Sequence, residues 1–278
     1  MLEQVTEEVR KLMQTLDDPS HDFEHVLTVY QHTRRALDES SCSGLSSMEQ
    51  QAIQLAALLH EVDDEKLFKL SDSQNPLGVT SHGERHDKSE TYPNAYRILS
   101  SLPESPDWDR HTLIELTVEL ISLVSCSSNG NSVVEPRWKL IPRDADRIEA
   151  LGEIGIKRCY QYGVKVGRPN FTTQTPRAKN REELWAIATA ERFANYSSGK
   201  KIGKRRFNPS TNLNSDPSVE DSDRDDSMIA HFYDRLLHVH QLQSRNQYLQ
   251  AIADQRHETL IEFILAFGTT GVLPPIPN

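Results

Sequence analysis

The sequence has little cysteine, no long apolar run and no excess of positive charge, and each shortage removes a class of protein. Its three cysteines, Cys42, Cys126 and Cys159, are odd in number, widely spaced and form no CxxC pair. They read as reduced thiols of an intracellular protein, with a cytoplasmic or nuclear location expected. No apolar stretch approaches the roughly 18 residues that span a bilayer, so no membrane partner is expected. The acidic, amphipathic start "MLEQVTEEVRKLMQTLDD" lacks the basic and apolar regions of a signal peptide. Against 41 acidic residues stand 31 Lys and Arg, for a net charge of −10. That balance excludes a long nucleic acid as the main partner, since a phosphate backbone needs a basic footprint. A small phosphorylated ligand in a local basic pocket remains compatible. There is neither a P-loop nor a GxGxxG, which removes motor-type NTPase and dinucleotide chemistry.

What is present is helical spacing. In a chain of 278 residues, long enough for one large core or two modest ones, apolar residues make up only 36%. Part of the length is therefore expected to stay unpacked. Val5, Val9, Leu12 and Leu16 share one helix face, and after Pro19 and an N-cap at Ser20 a second helix turns Phe23, Val26, Tyr30 and Leu37 inward. The segment "MEQQAIQLAALLHEV" is apolar on most sides and is expected to be central. Further helices fit "NAYRILSSL", "DRHTLIELTVELISLVS", "REELWAIATAERFANY", "SMIAHFYDRLLHVHQL" and "RNQYLQAIADQRHETLIEFILAFG". In "RWKLIPRDADRIEALGEIGIKRCYQYG" the spacing is broken by Gly152 and Gly155. No run alternates as a strand would, and there is no internal repeat. The fold class is all-α. The stretch 197–226 is too polar to offset its own ordering entropy and reads as a mobile insertion. Its basic cluster, Lys200, Lys201, Lys204, Arg205 and Arg206, reads as a solvated loop, with a localisation or docking patch as the alternative.

Chemistry concentrates where the central helix ends. At 55–66, "LAALLHEVDDEK", an apolar run gives way to one histidine and four carboxylates. Burying charge there is costly unless it is paired or bound to a metal. "HEVDD" is not a zincin motif, because position 64 is Asp64 and not histidine. Taken together, "HDFEHVLTV", "LAALLHEVDDEK" and "RDADRIEALGEIGIKRCYQYG" resemble the HD-domain metal-dependent phosphohydrolases. "YPNAYRIL", "IAHFYDRLLHVHQL" and "IADQRHETLIEFILAF" extend the likeness to a subgroup that includes bacterial nucleotide pyrophosphohydrolases. It covers most of the chain apart from 197–226 and the loops around 40 and 75.

The resemblance implies a single HD-domain helical bundle over 1–196, the insertion over 197–226, and accessory C-terminal helices over 227–278. It also implies one divalent ion of Mn, Fe, Ni, Co or Mg, held by His25, His60, Glu61 and Asp146. Glu61 stands where the family usually has Asp, one methylene longer. Asp144 is the alternative to Asp146. Asp64, on the rim with Asp63, would assist proton transfer from the attacking water, while Lys66 and Arg147, with Lys157 behind them, suit phosphate oxygens. His21 and Asp22 would orient ligands or cap the helix start. His32, His231, His238, His240 and His257 are expected to be structural. The implied activity is hydrolysis of a phosphate ester or anhydride of a nucleotide, with pyrophosphate as one product considered. Two other readings compete: a degenerate HD scaffold that binds a nucleotide or protein without turnover, and a diiron oxygenase using His82, His86 and His111. Homo-oligomerisation is left open.

Overall fold

The computed structural model describes residues 1–15, 22–64, 67, 88–197 and 225–277. Its α-helices run in order α1 (Leu2–Met13), α2 (Phe23–Leu37), α3 (Ser47–Leu59), α4 (Lys88–Thr91), α5 (Pro93–Ser100), α6 (Arg110–Ser122) and α7 (Cys126–Asn129). They continue as α8 (Ile141–Ile148), α9 (Gly152–Lys165), α10 (Arg181–Ile187), α11 (Ala190–Ser197), α12 (Met228–Asp234) and α13 (Gln247–Thr270). The fold is all-α, with no strand among the described residues. None of these helices is long and apolar enough to cross a membrane.

The chain divides into two compact units. The first comprises 1–125, 133–149 and 242–251, and the second 126–132, 150–241 and 252–278. In the first unit α3 is the hub, packed against α1, α2, α6 and α8. Ala52, Ile53 and every residue from Leu55 to Leu59 are fully buried, which is why this helix reads as apolar on most sides. Its start is fixed by a reciprocal cap, with Ser46 Oγ accepting the Glu49 N–H and the Glu49 carboxylate accepting the Ser46 N–H. In the second unit α12 packs against α9 and α11, and Phe232, Tyr233 and Leu237 are buried.

Several expected details shift. The cap of α2 is Asp22, whose Oδ1 accepts the His25 N–H at 2.9 Å; Ser20 lies outside the described residues. The buried face of α2 is His25, Val26, Val29, Thr33 and Ala36, while Phe23, Tyr30 and Leu37 are only half-buried. On α1 the inward residues are Val5, Val9 and Met13, with Leu12 at the margin and Leu16 outside the described residues. The single helix expected from "REELWAIATAERFANY" is two. Ala188 leaves the helical region at φ −78°, ψ 68°, and Thr189 Oγ1 then accepts the Arg192 N–H to start α11. Gly152, at φ +67°, makes the break before α9, but Gly155 lies inside that helix. A Cβ at Gly155 would sit 2.3 Å from the Ala150 carbonyl, so its role is a close backbone approach. The insertion at 197–226, basic cluster included, falls almost wholly outside the described residues.

Candidate metal centre

Three helices of the first unit bring four donors together. His25 sits in the first turn of α2, which Asp22 caps. His60 is the C-cap residue of α3, and Glu61 follows it in a turn closed by Val62 N–H to Leu59 O and Asp64 N–H to Glu61 O. Asp146 comes from α8, most of whose residues are buried. One ligand atom from each of the four lies within 4.8 Å of all the others. His25 Nε2 is 3.2 Å from Asp146 Oδ1 and 3.7 Å from Glu61 Oε1. His60 Nε2 is 3.5 Å from Glu61 Oε1 and 3.8 Å from Asp146 Oδ1. With metal–ligand bonds of about 2.1 Å, neighbouring donors stand about 3.0 Å apart in an octahedral site and about 3.4 Å apart in a tetrahedral one. The observed edges, 3.2 to 3.8 Å, lie on either side of the tetrahedral value and all above the octahedral one, so the donors would draw in slightly around an octahedral ion.

The protonation pattern suits a cation. His60 Nδ1 lies 2.8 Å from the Ala57 carbonyl, which can only accept, so the proton is on Nδ1. Nε2 is left as the lone-pair nitrogen, buried and without a hydrogen bond, within the cluster. Two carboxylates less than 4.8 Å apart repel by roughly 3 to 4 kcal/mol at an effective dielectric constant of about 20. Glu61 is only 6% exposed, so solvent does little to relieve that cost. A divalent cation among the four donors would offset both charges. The donor set fits such an ion, and mixed imidazole and carboxylate select no single metal among Mn, Fe, Ni, Co and Mg.

The remaining expected site residues divide clearly. Asp144 does not join the cluster. It is fully buried, and its Oδ2 accepts the backbone N–H of Gln243 at 2.9 Å and of Ser244 at 2.6 Å. Asp63 is turned away to α5, where its two oxygens accept the N–H groups of Asn94 and Ala95, each at 2.9 Å. Burial pushes the Asp63 carboxyl up, although these two donors pull against it. Asp64 is half-buried just past the cluster, and Arg147 is buried beside Asp146 in sequence. Lys157 is half-buried on α9 in the second unit. Lys66, His21, His82 and His86 lie outside the described residues, and His111 is exposed in the first turn of α6, apart from the four-donor group.

The histidines expected to be structural have partners of that kind. His32 Nδ1 is 2.8 Å from the Tyr248 hydroxyl, and His238 Nε2 is 3.0 Å from the Tyr233 carbonyl. His240 and His257 stack with ring centroids 3.7 Å apart, and the Tyr196 and His231 rings meet edge-on. Sequence reading missed the tasks of Asp144, Asp63 and Asn246, which bond to groups distant along the chain. Asp144 lies in a buried helix, Asn246 just before the start of α13 and Asp63 in the turn after α3, and none of these positions signals a distant partner.

The chain is 35% identical over 263 residues to "Uncharacterized protein L803" of Acanthamoeba polyphaga mimivirus, spanning 93% of each sequence. It belongs to the family of that protein. No family model matches it. Among solved structures, a Lactobacillus plantarum protein aligns with 96% of the chain and 96% of its own at a TM-score of 0.58 and 18% identity. Bacillus subtilis YpgQ in complex with ADP aligns with 100% of this chain and 97% of its own at a TM-score of 0.55 and 15% identity. An HD-superfamily hydrolase of Bacillus thuringiensis aligns with 96% of this chain and 94% of its own at a TM-score of 0.50 and 19% identity. The L803 relative and this chain therefore share a family, and the fold is similar to those of YpgQ and of the HD-superfamily hydrolase.

Proposed function

We propose that the chain is a metal-dependent phosphohydrolase that cleaves a phosphate ester or anhydride of a nucleotide. The observation that carries this reading is the His60 ring, which donates through Nδ1 to a carbonyl and holds a buried Nε2 without a hydrogen bond among three further donors. The similar fold of YpgQ, whose structure is a complex with ADP, supports a nucleotide as the substrate class. The HD-superfamily hydrolase of similar fold supports hydrolysis.

In this reading His25, His60, Glu61 and Asp146 hold the ion. Bound there, a divalent cation supplies positive charge for phosphate oxygens and lowers the pKa of water from about 15.7 toward roughly 7. The chain's own residues do the rest. Asp64, just past the ligand turn, accepts the proton of the attacking water. Lys66 and Arg147 offset the negative charge that grows on the phosphoryl oxygens. Ala57 O keeps the His60 imidazole aimed, and the cap at Asp22 fixes the first turn of the helix that carries His25.

The test is purified protein with Mn²⁺ against a panel of nucleoside mono-, di- and triphosphates, reading phosphate and pyrophosphate release separately. Turnover that requires Mn²⁺ and is lost in Asp146→Ala supports the reading. Full metal uptake with no release from any nucleotide would favour a binding scaffold without turnover.

A further inference from the structure

A short segment, 243–248, is bonded to both helices that flank the donor cluster in the first unit. On the α8 side, Asp144 Oδ2 accepts the N–H groups of Gln243 and Ser244, two residues before the Asp146 donor. On the α2 side, Asn246 Nδ2 donates to the Ala36 carbonyl at 2.9 Å, and the Glu39 carboxylate accepts the N–H groups of Gln247 and Tyr248. The Tyr248 hydroxyl meets His32 Nδ1, while His32 Nε2 is 3.4 Å from Glu149 Oε1. His32 lies two turns beyond His25 on α2, and Glu149 lies three residues beyond Asp146, so this pair repeats the contact between His25 and Asp146 further along the same two helices. Asp144 is fully buried and Asn246 is 2% exposed. Between them Arg245 holds φ at +62°, a left-handed conformation that a non-glycine residue adopts only when its surroundings enforce it.

We propose that 243–248 is a strap that sets the spacing of α2 and α8, and that Asp144 and Asn246 are positioning residues for the metal centre. His25 Nε2 and Asp146 Oδ1 come from these two helices and stand 3.2 Å apart, so a shift of either helix opens that edge of the donor set. The two aspartates of "RDADRI" then have separate tasks. Asp146 is a donor, and Asp144 fixes the helix that carries it. Groups hydrogen-bonded to the ligands themselves typically govern 10- to 100-fold in metal affinity, and Asp144 and Asn246 act one step further out, through the helices that carry the donors, so the lower end of that range is expected.

The inference rests on the metal-centre reading, and the experiment separates the two. Mn²⁺ alone is titrated into the native chain and into Asn246→Ala, Asp144→Asn, Asp144→Ala and Ser46→Ala, well below each melting point and with helix content checked. Ser46→Ala removes a cap at the far end of α3 and controls for general destabilisation of about 1 kcal/mol. The strap predicts that Asn246→Ala and Asp144→Ala weaken Mn²⁺ binding by about 10-fold or more, that Asp144→Asn recovers part of the loss, and that Ser46→Ala stays within about 2-fold of native. Native-like binding in the strap variants, with melting points lowered as in Ser46→Ala, overturns the strap and leaves the metal centre standing. A native chain that takes up no Mn²⁺ overturns both. If Asp144→Ala does not fold, Asn246→Ala and Asp144→Asn decide.

Discussion

Glu61 stands where the HD motif that the sequence resembles has the shorter Asp, and the structure gives the longer arm a place. Its Oε1 reaches both imidazoles, at 3.5 and 3.7 Å, from a turn that follows directly on His60. Shortening the arm by one methylene withdraws the carboxylate by roughly 1.5 Å, and a misplacement of about an ångström can cost around 100-fold in rate. Glu61→Asp is therefore expected to keep the metal and lose about 10- to 100-fold in turnover, whereas Glu61→Ala loses most of both. Rate and metal occupancy of the two variants check this, and a gain of activity in Glu61→Asp would mark the native arm as impaired. The grouping of the four residues was legible in the sequence because three short motifs carry them in order: His25 opens one helix, His60 and Glu61 follow the apolar run of another, and Asp146 lies in a third. The division of labour between Asp144 and Asp146 was not. They are two residues apart, and only the backbone N–H groups of Gln243 and Ser244, about 100 positions away, reveal what Asp144 serves.

Helix starts show the same limit at the scale of elements. The cap of α3 is local, and Ser46 with Glu49 announces it in sequence. The start of α5 is different. Tyr92, its N-cap residue, makes no capping bond with its side chain, and Asp63 performs that task from 31 positions before Asn94 by accepting two of the first N–H groups. Removing this remote cap leaves two amides short of a partner, which costs about 1–2 kcal/mol. Asp63→Ala is thus expected to lower the urea midpoint by an equivalent amount with the slope unchanged; an unaltered midpoint would mean that water replaces the carboxylate without loss. The split of 181–197 into α10 and α11 was hidden for a related reason. Propensity favours one continuous helix, and the turn at Ala188 and Thr189 depends on a side-chain bond to the Arg192 N–H that periodicity does not register.

For the whole molecule, the second unit adds a dependence on pH that the donor cluster does not explain. His257 is 5% exposed, and burial, aided by the neighbouring His240, lowers its pKa to about 4. Its ring stacks with those of Trp185 and His240, and His240 is itself shifted down, first by burial. Arg181 also opposes a charge on His257, while Asp254 and Glu258 favour one. Between about pH 4 and about 6.5 the unfolded chain binds the proton that the folded chain refuses, so stability rises with pH through that window and levels off above it. The full effect for His257 is on the order of 3 kcal/mol. The melting midpoint should fall from pH 7.5 to pH 5, and His257→Phe, which keeps a ring in the stack, should flatten the fall. An equal slope in the two proteins would remove His257 from the account. The all-α class was legible at this scale from helical spacing alone. The division into two compact units was not, because the segments of each unit alternate along the chain and only tertiary contacts group them.

The central claim is that His25, His60, Glu61 and Asp146 form a centre for one divalent ion. Metal content is its most direct test: the chain is purified without chelator, dialysed against Mn²⁺, and assayed for bound metal per chain beside His60→Ala and Asp146→Ala. About one ion per native chain and almost none in either variant are expected, with helix content unchanged in all three. A native chain that holds no metal under these conditions, or variants that hold as much as the native chain, would contradict it.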